Sequence, residues 1–186
     1  MKPNEKSQRD QSKFLSLVLR HSPETINIQL DTEGWTDVQT LLQQMIKHRK
    51  ALKFDELLSI VESNDKKRFQ LSDDHSKIRA VQGHSSQQVQ RDYIPHTPPD
   101  TLYHGTATRF MSSIQEQGLI AGERHHVHLS VDLVTATKVG QRHGKVIIFK
   151  VDTQHMHQNG FKFYQAENGV WLTEHVPVKY LEILDN

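Results

Sequence analysis

Residues 102–106 read Leu-Tyr-His-Gly-Thr, and residues 126–130 read His-Val-His-Leu-Ser. Each segment ends in a His-x-Thr or His-x-Ser triplet, which we place at the end of a short strand. Glycine at position 105 allows a ligand to approach the backbone closely, and His and Thr side chains supply hydrogen bonds. The same pattern also fits a strand-to-turn transition with a hydrogen-bonded histidine and no ligand.

The residues around these triplets predict a lobe of short strands and helices. Asp132 is expected to cap a helix that ends at Gly140. Further strands are expected at residues 146–151, 170–172 and 181–184, where β-branched and large apolar residues are concentrated. These lengths and turns predict an α+β lobe and do not fit a doubly wound sheet.

The first part of the chain predicts helices followed by a hairpin. Apolar residues at helical spacing end before Pro23, and two further helices are expected from Asp37 and from about Phe54. Residues 69–82 alternate between apolar and polar on either side of a turn, as two paired strands do. This order is typical of a winged-helix module, by analogy of fold alone.

A polar stretch from Gln82 to Thr101 predicts the boundary between two lobes. Three of the six prolines lie within five residues of one another here, and Gly, Ser and Gln precede them. Such a composition is typical of a linker. We therefore predict an α+β protein with two domains, residues 1–92 and residues 93–186.

Composition excludes several classes of protein. The 186 residues contain no cysteine, which excludes thiolate catalysis and Cys-ligated metals and suits a cytoplasmic location. No apolar run is long enough to span a bilayer, and the composition of the N-terminal residues leads us to expect no secretory signal. The net charge is +1, so any nucleic acid must be held by a few placed side chains. Eight of the 13 histidines follow residue 100, which indicates a site there.

Histidines and arginines supply the remaining candidate site residues. His126 and His128 share one face of a strand, but no third ligand lies nearby in sequence, so we predict a pocket wall and no metal site. Arginine offers a fork that matches phosphate oxygens, and Arg20, Arg68 and Arg124 are candidates for such contacts. Their spacing alone does not bring them together.

Six segments, taken together and in this order, resemble the RNA 2′-phosphotransferase family. They are residues 19–23 (LRHSP), 65–69 (DKKRF), 78–85 (IRAVQGHS), 102–106 (LYHGT), 124–130 (RHHVHLS) and 168–173 (NGVWLT). The resemblance covers essentially the whole chain and is greatest to the short bacterial members. It implies an N-terminal winged-helix lobe that binds RNA phosphate and a C-terminal lobe of ADP-ribosyltransferase fold that binds NAD.

The resemblance implies an NAD-dependent enzyme. Its substrate would be RNA with an internal 2′-phosphate, such as a tRNA splice junction, and NAD would be the co-substrate. The 2′-phosphate attacks the anomeric carbon of the nicotinamide ribose and expels nicotinamide, which leaves RNA-2′-phospho-ADP-ribose. Transesterification then gives ADP-ribose 1″,2″-cyclic phosphate and RNA with a 2′-hydroxyl. No metal, membrane or obligate protein partner is implied.

The resemblance also implies a role for individual residues. The catalytic residues implied are Arg20, His21, Arg68 and Arg124. They would hold the phosphate in line for the first step and stabilise charge on phosphoryl oxygens in the second, where the histidine would also protonate the leaving 2′-oxygen. The residues implied to bind NAD are His104, Gly105, Thr106, His128, Arg142 and Val170.

Two other functions fit parts of the sequence. The paired histidine triplets superficially resemble a two-histidine RNA phosphoesterase that works without NAD, although their separation is short for that arrangement. A non-catalytic winged-helix RNA-binding protein would explain the first lobe and leave the histidine motifs of the second unexplained. Release of nicotinamide distinguishes the NAD-dependent enzyme from both.

Overall fold

The computed structural model describes residues 3–63 and 67–184, with side chains from residue 7 onward. The chain forms two compact units, Met1–Asp92 and Tyr93–Asn186, and each has its own hydrophobic core. Both units combine helices and strands, which confirms the α+β prediction. The roles predicted for the two domains stay predictions. Asp65 and Lys66, in one of the segments that carry the resemblance, lie outside the described residues.

The described part of the first unit contains three α-helices and a three-stranded antiparallel sheet. Its elements are α1 (Pro3–Arg20), a 3-10 turn (Pro23–Ile26), β1 (Thr36–Asp37), α2 (Val38–Lys47), α3 (Phe54–Glu62), β2 (Phe69–Leu71) and β3 (Lys77–Ala80). The sheet order is β1-β3-β2, with Phe69 opposite Ala80. The predicted hairpin and the helices predicted from Asp37 and Phe54 are confirmed.

Local side-chain chemistry explains which face of α1 is buried and where α2 begins. Leu15, Val18 and Leu19 recur at helical spacing and are fully buried, so α1 presents one apolar face to the core. The Asp37 carboxylate accepts a hydrogen bond from the Thr40 backbone N–H at 2.6 Å and caps α2. That bonding to Thr40 lowers the pKa of the Asp37 carboxyl group.

Residues 82–92, predicted as the beginning of a linker, pack on the first unit. Val89 is fully buried, and the backbone N–H groups of Ser85 and Ser86 donate to the Arg20 carbonyl at 2.9 and 3.0 Å. The linker prediction is therefore wrong for this stretch. Its polar groups form hydrogen bonds with α1, so a polar composition alone does not mark a solvated segment.

The described part of the second unit contains three α-helices and eight strands, of which β4 and β7 are the longest with seven residues each. Its elements are β4 (Thr101–Ala107), a 3-10 turn (Thr108–Phe110), α4 (Met111–Gln117), β5 (Leu119–Ile120), β6 (Val127–Leu129), α5 (Leu133–Gly140), β7 (Val146–Asp152), α6 (Thr153–Gln158), β8 (Tyr164–Gln165), β9 (Trp171–Thr173), β10 (His175–Val176), a 3-10 turn (Val178–Tyr180) and β11 (Leu181–Leu184). Three antiparallel sheets result, in the orders β11-β7-β4, β6-β9-β8 and β10-β5.

Within the described ranges, no helix combines the length and the apolar content needed to cross a membrane.

Candidate active site

Glycine at position 105 allows α5 to pack directly on β4. A Cβ atom at Gly105 would lie 1.8 Å from the Ala136 carbonyl oxygen. On the helix, a Cβ atom at Gly140 would lie 2.9 Å from the Thr106 carbonyl oxygen. The missing side chain of Gly105 is therefore accounted for by close packing of helix and strand, and does not by itself indicate a ligand.

The two histidine triplets meet at the edge of β4. Tyr103 and Ser130 exchange backbone hydrogen bonds, both 2.8 Å long, and so join β4 to the segment that follows β6. This pairing brings the imidazole Nδ1 of His104 to 3.0 Å from the His128 carbonyl oxygen. Because a carbonyl oxygen only accepts, Nδ1 of His104 carries the proton in this hydrogen bond.

The His104 ring is held in its neutral form. Burial lowers the pKa of His104, and the nearby charges of Arg124 and His143 lower it further, against the opposing effect of the hydrogen bond to His128. A neutral imidazole with a proton on Nδ1 has a lone pair on Nε2. Nε2 of His104 is therefore a hydrogen-bond acceptor, suited to a ligand hydroxyl group.

Two arginines lie near these histidines. Nη1 of Arg124 lies 3.5 Å from Nδ1 of His128, and its guanidinium is close enough to Arg142 for the two charges to interact. Partial burial, followed by the charge of Arg142, lowers the pKa of Arg124, which remains cationic at neutral pH. Two cations beside a neutral histidine suit an anionic ligand with hydroxyl groups, such as a sugar phosphate.

One face of the β6-β9-β8 sheet carries two further predicted NAD residues, His128 and Val170, whereas the predicted Thr106 lies on β4 and is buried. His128 pairs with Leu172, and Val170 lies two residues before Leu172, so all three share a face by strand alternation. The opposite face carries Leu129 and Trp171, which belong to the core. His104 lies on β4, His128 on β6 and Val170 immediately before β9, and the structure places Arg124 and Arg142 near the two histidines.

In the first unit, the segment from Val81 to Ser85 contacts the three predicted catalytic residues of that unit, Arg68 through its backbone and Arg20 and His21 through their side chains. The Val81 N–H donates to the Arg68 carbonyl at 3.0 Å. Gly83 lies beside the Arg20 guanidinium, with its Cβ position 3.7 Å from Nη1, and the Ser85 hydroxyl lies 2.9 Å from Nδ1 of His21.

Ser85 was not predicted as a site residue from the sequence. It occurs in the segment 78–85 that carries the resemblance, which was the only signal available. His143 was missed in the same way, since only the fold brings its charge near the His104 ring.

Among the residues that the structure describes, no group of three or more His, Asp or Glu side chains is arranged to hold a metal ion.

Comparison with known proteins identifies the family. The sequence model of the protein family described as "RNA 2′-phosphotransferase, Tpt1 / KptA family" matches residues 6–175 of this chain. A protein of Pseudomonas fluorescens named "Probable RNA 2′-phosphotransferase" is 55% identical over 175 residues, which cover 94% of this chain and 96% of the relative. A protein of Escherichia coli with the same name is 55% identical over 181 residues, 97% of this chain and 98% of the relative. The chain belongs to the RNA 2′-phosphotransferase family.

Proposed function

We propose that this chain transfers an internal 2′-phosphate from RNA to NAD, through RNA-2′-phospho-ADP-ribose, and leaves RNA with a 2′-hydroxyl. The observation that carries the proposal is the His104–His128 hydrogen bond, beside Arg124 and Arg142. It supports a site that accepts a hydrogen bond from a sugar hydroxyl and attracts a phosphate. Family membership supports the phosphotransferase over the two-histidine phosphoesterase and over a non-catalytic RNA-binding protein.

The chemistry of the second unit fits NAD. The Nε2 atom of His104 suits a ribose hydroxyl, and the guanidinium groups of Arg124 and Arg142 suit the pyrophosphate. Val170, one of the residues implied to bind NAD, offers no carboxylate, which fits a substrate that brings its own anionic nucleophile. When bound, NAD supplies an electrophilic anomeric carbon and a leaving nicotinamide.

The first unit supports binding of the 2′-phosphate. The Arg20 guanidinium and the His21 imidazole lie beside the segment from Gly83 to Ser85, and the backbone of Arg68 is hydrogen-bonded to Val81 at the start of that stretch. Guanidinium groups match the oxygens of a phosphate. Nδ1 of His21 accepts from the Ser85 hydroxyl when it carries no proton and donates to that hydroxyl when it carries one, so Ser85 keeps the ring oriented in either state. A ring that is held in this way suits the predicted transfer of a proton to the leaving 2′-oxygen.

The order of elements supports the predicted lobes. In the first unit, α1, β1, α2, α3, β2 and β3 follow in the order that a winged-helix module has. In the second unit, His104, His128 and Val170, implied to bind NAD, lie on β4, on β6 and immediately before β9, an arrangement that fits an ADP-ribosyltransferase fold. Both lobe assignments belong to this proposal.

The test uses the purified full-length protein and an oligonucleotide with one internal 2′-phosphate. We expect phosphate removal and nicotinamide release only when NAD is present, with full activity in EDTA. His104→Ala should slow the reaction by about 10²–10³, the usual effect of removing one preorganised polar contact. His157→Ala, which changes an exposed histidine on α6 of the same unit, is the matched control and should leave the rate unchanged. Full activity without NAD contradicts the proposal.

A further inference from the structure

Three aromatic rings form a cluster on the site face of the β6-β9-β8 sheet. The His126 ring lies 5.5 Å from the Tyr164 ring and 5.8 Å from the Tyr93 ring, centroid to centroid, and the two tyrosine rings are 6.2 Å apart. All three side chains are half-buried, so each ring keeps an accessible surface. We call these three residues the aromatic cluster.

The backbone holds the aromatic cluster in place. Tyr164 lies on β8, and His126 immediately precedes β6. Pro95 forms an isolated bridge with Tyr164, and the His96 N–H donates to the Phe163 carbonyl at 2.8 Å, which fixes the segment that carries Tyr93 beside β8. Rings that are ordered in advance lose little conformational entropy when a ligand stacks on them.

The position of the aromatic cluster separates it from the predicted NAD residue His104. Strand β4, which carries His104, joins the sheet at Ser130, beyond the end of β6. His126 lies at the opposite end of β6, and Tyr164 lies on β8, across β9 from β6. A ligand bound to the aromatic cluster would therefore lie at the end of the sheet away from His104, with His128 and Val170 between the two.

The charge around the aromatic cluster favours a base over a phosphate. Burial, followed by the charge of His125, lowers the pKa of His126, so this ring is uncharged at neutral pH. The Glu174 carboxylate lies close enough to influence both His126 and Tyr164. A carboxylate repels phosphodiester groups and accepts hydrogen bonds from the N–H groups of a base.

We propose that the aromatic cluster binds a base of the RNA substrate, at or next to the nucleotide that carries the 2′-phosphate, by stacking. This subsite rests on the proposed function, because it assigns the RNA side of that same site. Aromatic side chains are the usual stacking partners for unpaired bases, and stacking tolerates different bases. The subsite would give the enzyme affinity for single-stranded RNA around the 2′-phosphate with little sequence preference.

The first experiment compares Tyr164→Ala, Tyr164→Phe and the wild type with a 2′-phosphorylated oligonucleotide. Loss of stacking on one base weakens binding by about fivefold to 100-fold. We expect Tyr164→Ala to raise the KM for RNA by that factor, with the KM for NAD unchanged, and Tyr164→Phe to match the wild type. Phe110→Ala removes an exposed ring elsewhere in the unit and should change neither constant. An unchanged KM for RNA in Tyr164→Ala overturns the subsite, as does a rise in the KM for NAD alone.

The second experiment places an abasic nucleotide in turn at the 2′-phosphorylated position and on each side of it. At one of these positions we expect the abasic change to weaken binding to the wild type as much as Tyr164→Ala weakens binding of the intact oligonucleotide. At that position the abasic change should not weaken binding to Tyr164→Ala further, since the two changes remove the same contact. Fully additive losses at all three positions overturn the proposal. Tyr93→Ala repeats the test should Tyr164→Ala fail to fold, as judged by circular dichroism.

Binding of the same oligonucleotides, followed by fluorescence anisotropy without NAD, separates the subsite from the proposed function. If the wild type removes no phosphate but the abasic effect on binding remains, the subsite stands and the proposed reaction fails. If phosphate is removed and binding ignores the abasic change, the reaction stands and the subsite fails.

Discussion

Gly105→Ala tests whether close packing of β4 and α5 requires glycine in the His-Gly-Thr triplet. The new Cβ would lie 1.8 Å from the Ala136 carbonyl oxygen, whereas real Cβ contacts are essentially never shorter than 3.0 Å, so strand and helix must separate by about 1.2 Å. The overlap is between the new Cβ atom and the backbone carbonyl oxygen of Ala136, and a change of side-chain rotamer moves neither of them. Overpacking of a core costs about 1–3 kcal/mol, and this rigid case should reach about 3 kcal/mol or more.

Thermal unfolding followed by circular dichroism measures this effect. For a chain of this length, about 3 kcal/mol lowers Tm by roughly 6–12 °C. Gly140→Ala, with its closest contact at 2.9 Å, should cost less, because a shift of about 0.1 Å restores the limit. Gly122→Ala meets no atom within 4 Å but lies at a φ of +63°, so it measures the cost of backbone strain without overlap, whereas Gly105 has no positive φ and its substitution measures the overlap. A Tm for Gly105→Ala equal to that of the wild type would refute the packing argument and return the glycine to a role in ligand approach.

Three further predictions concern the chemistry of the site. His21→Ala and Arg68→Ala should accumulate RNA-2′-phospho-ADP-ribose, seen on a gel, because the second step needs charge stabilisation at phosphorus. His104→Ala should instead slow the formation of this intermediate. Absence of the intermediate in all three variants contradicts the assignment of these residues to separate steps. Ser85→Ala should lower the rate of the second step, because the His21 ring loses its hydrogen-bond partner, and Ser85→Thr should restore the rate. The free energy of unfolding should fall as the pH decreases below 6.5, because the pKa values of His104 and His126 are lowered in the folded state and the unfolded chain binds more protons there; changing both to Gln should flatten the slope between pH 5 and 6.5, measured by urea unfolding.

The sequence predicted those elements that local chemistry determines. Asp37 and Asp132 begin helices because each carboxylate caps a free N–H, and this pattern is visible within three residues. The packing of residues 82–92 was missed because it depends on Val89 and on hydrogen bonds to a helix some 65 residues earlier. Strands of two residues, such as β8, carry too little periodicity to be recognised.

The candidate site was predictable as a set of residues and not as a geometry. The resemblance named His104 and His128, but nothing in the sequence indicates that a carbonyl oxygen of one fixes the proton on the other. Strand alternation placed His126 and His128 on one face. The aromatic cluster needed Tyr93 and Tyr164 as well, which are far from His126 in sequence and meet it only through the sheet.

The alternation of side chains along β9 limits how the length of the chain can evolve. A single residue inserted in the turn between β8 and β9 that shifted the pairing of β9 by one position would move Val170 to the core face and Trp171 to the site face. Such a change would abolish the site and bury the wrong side chains at once. An insertion of two residues preserves both faces. Length variation in this turn among functional relatives should therefore occur in steps of two, or as loops that leave the register of β9 intact.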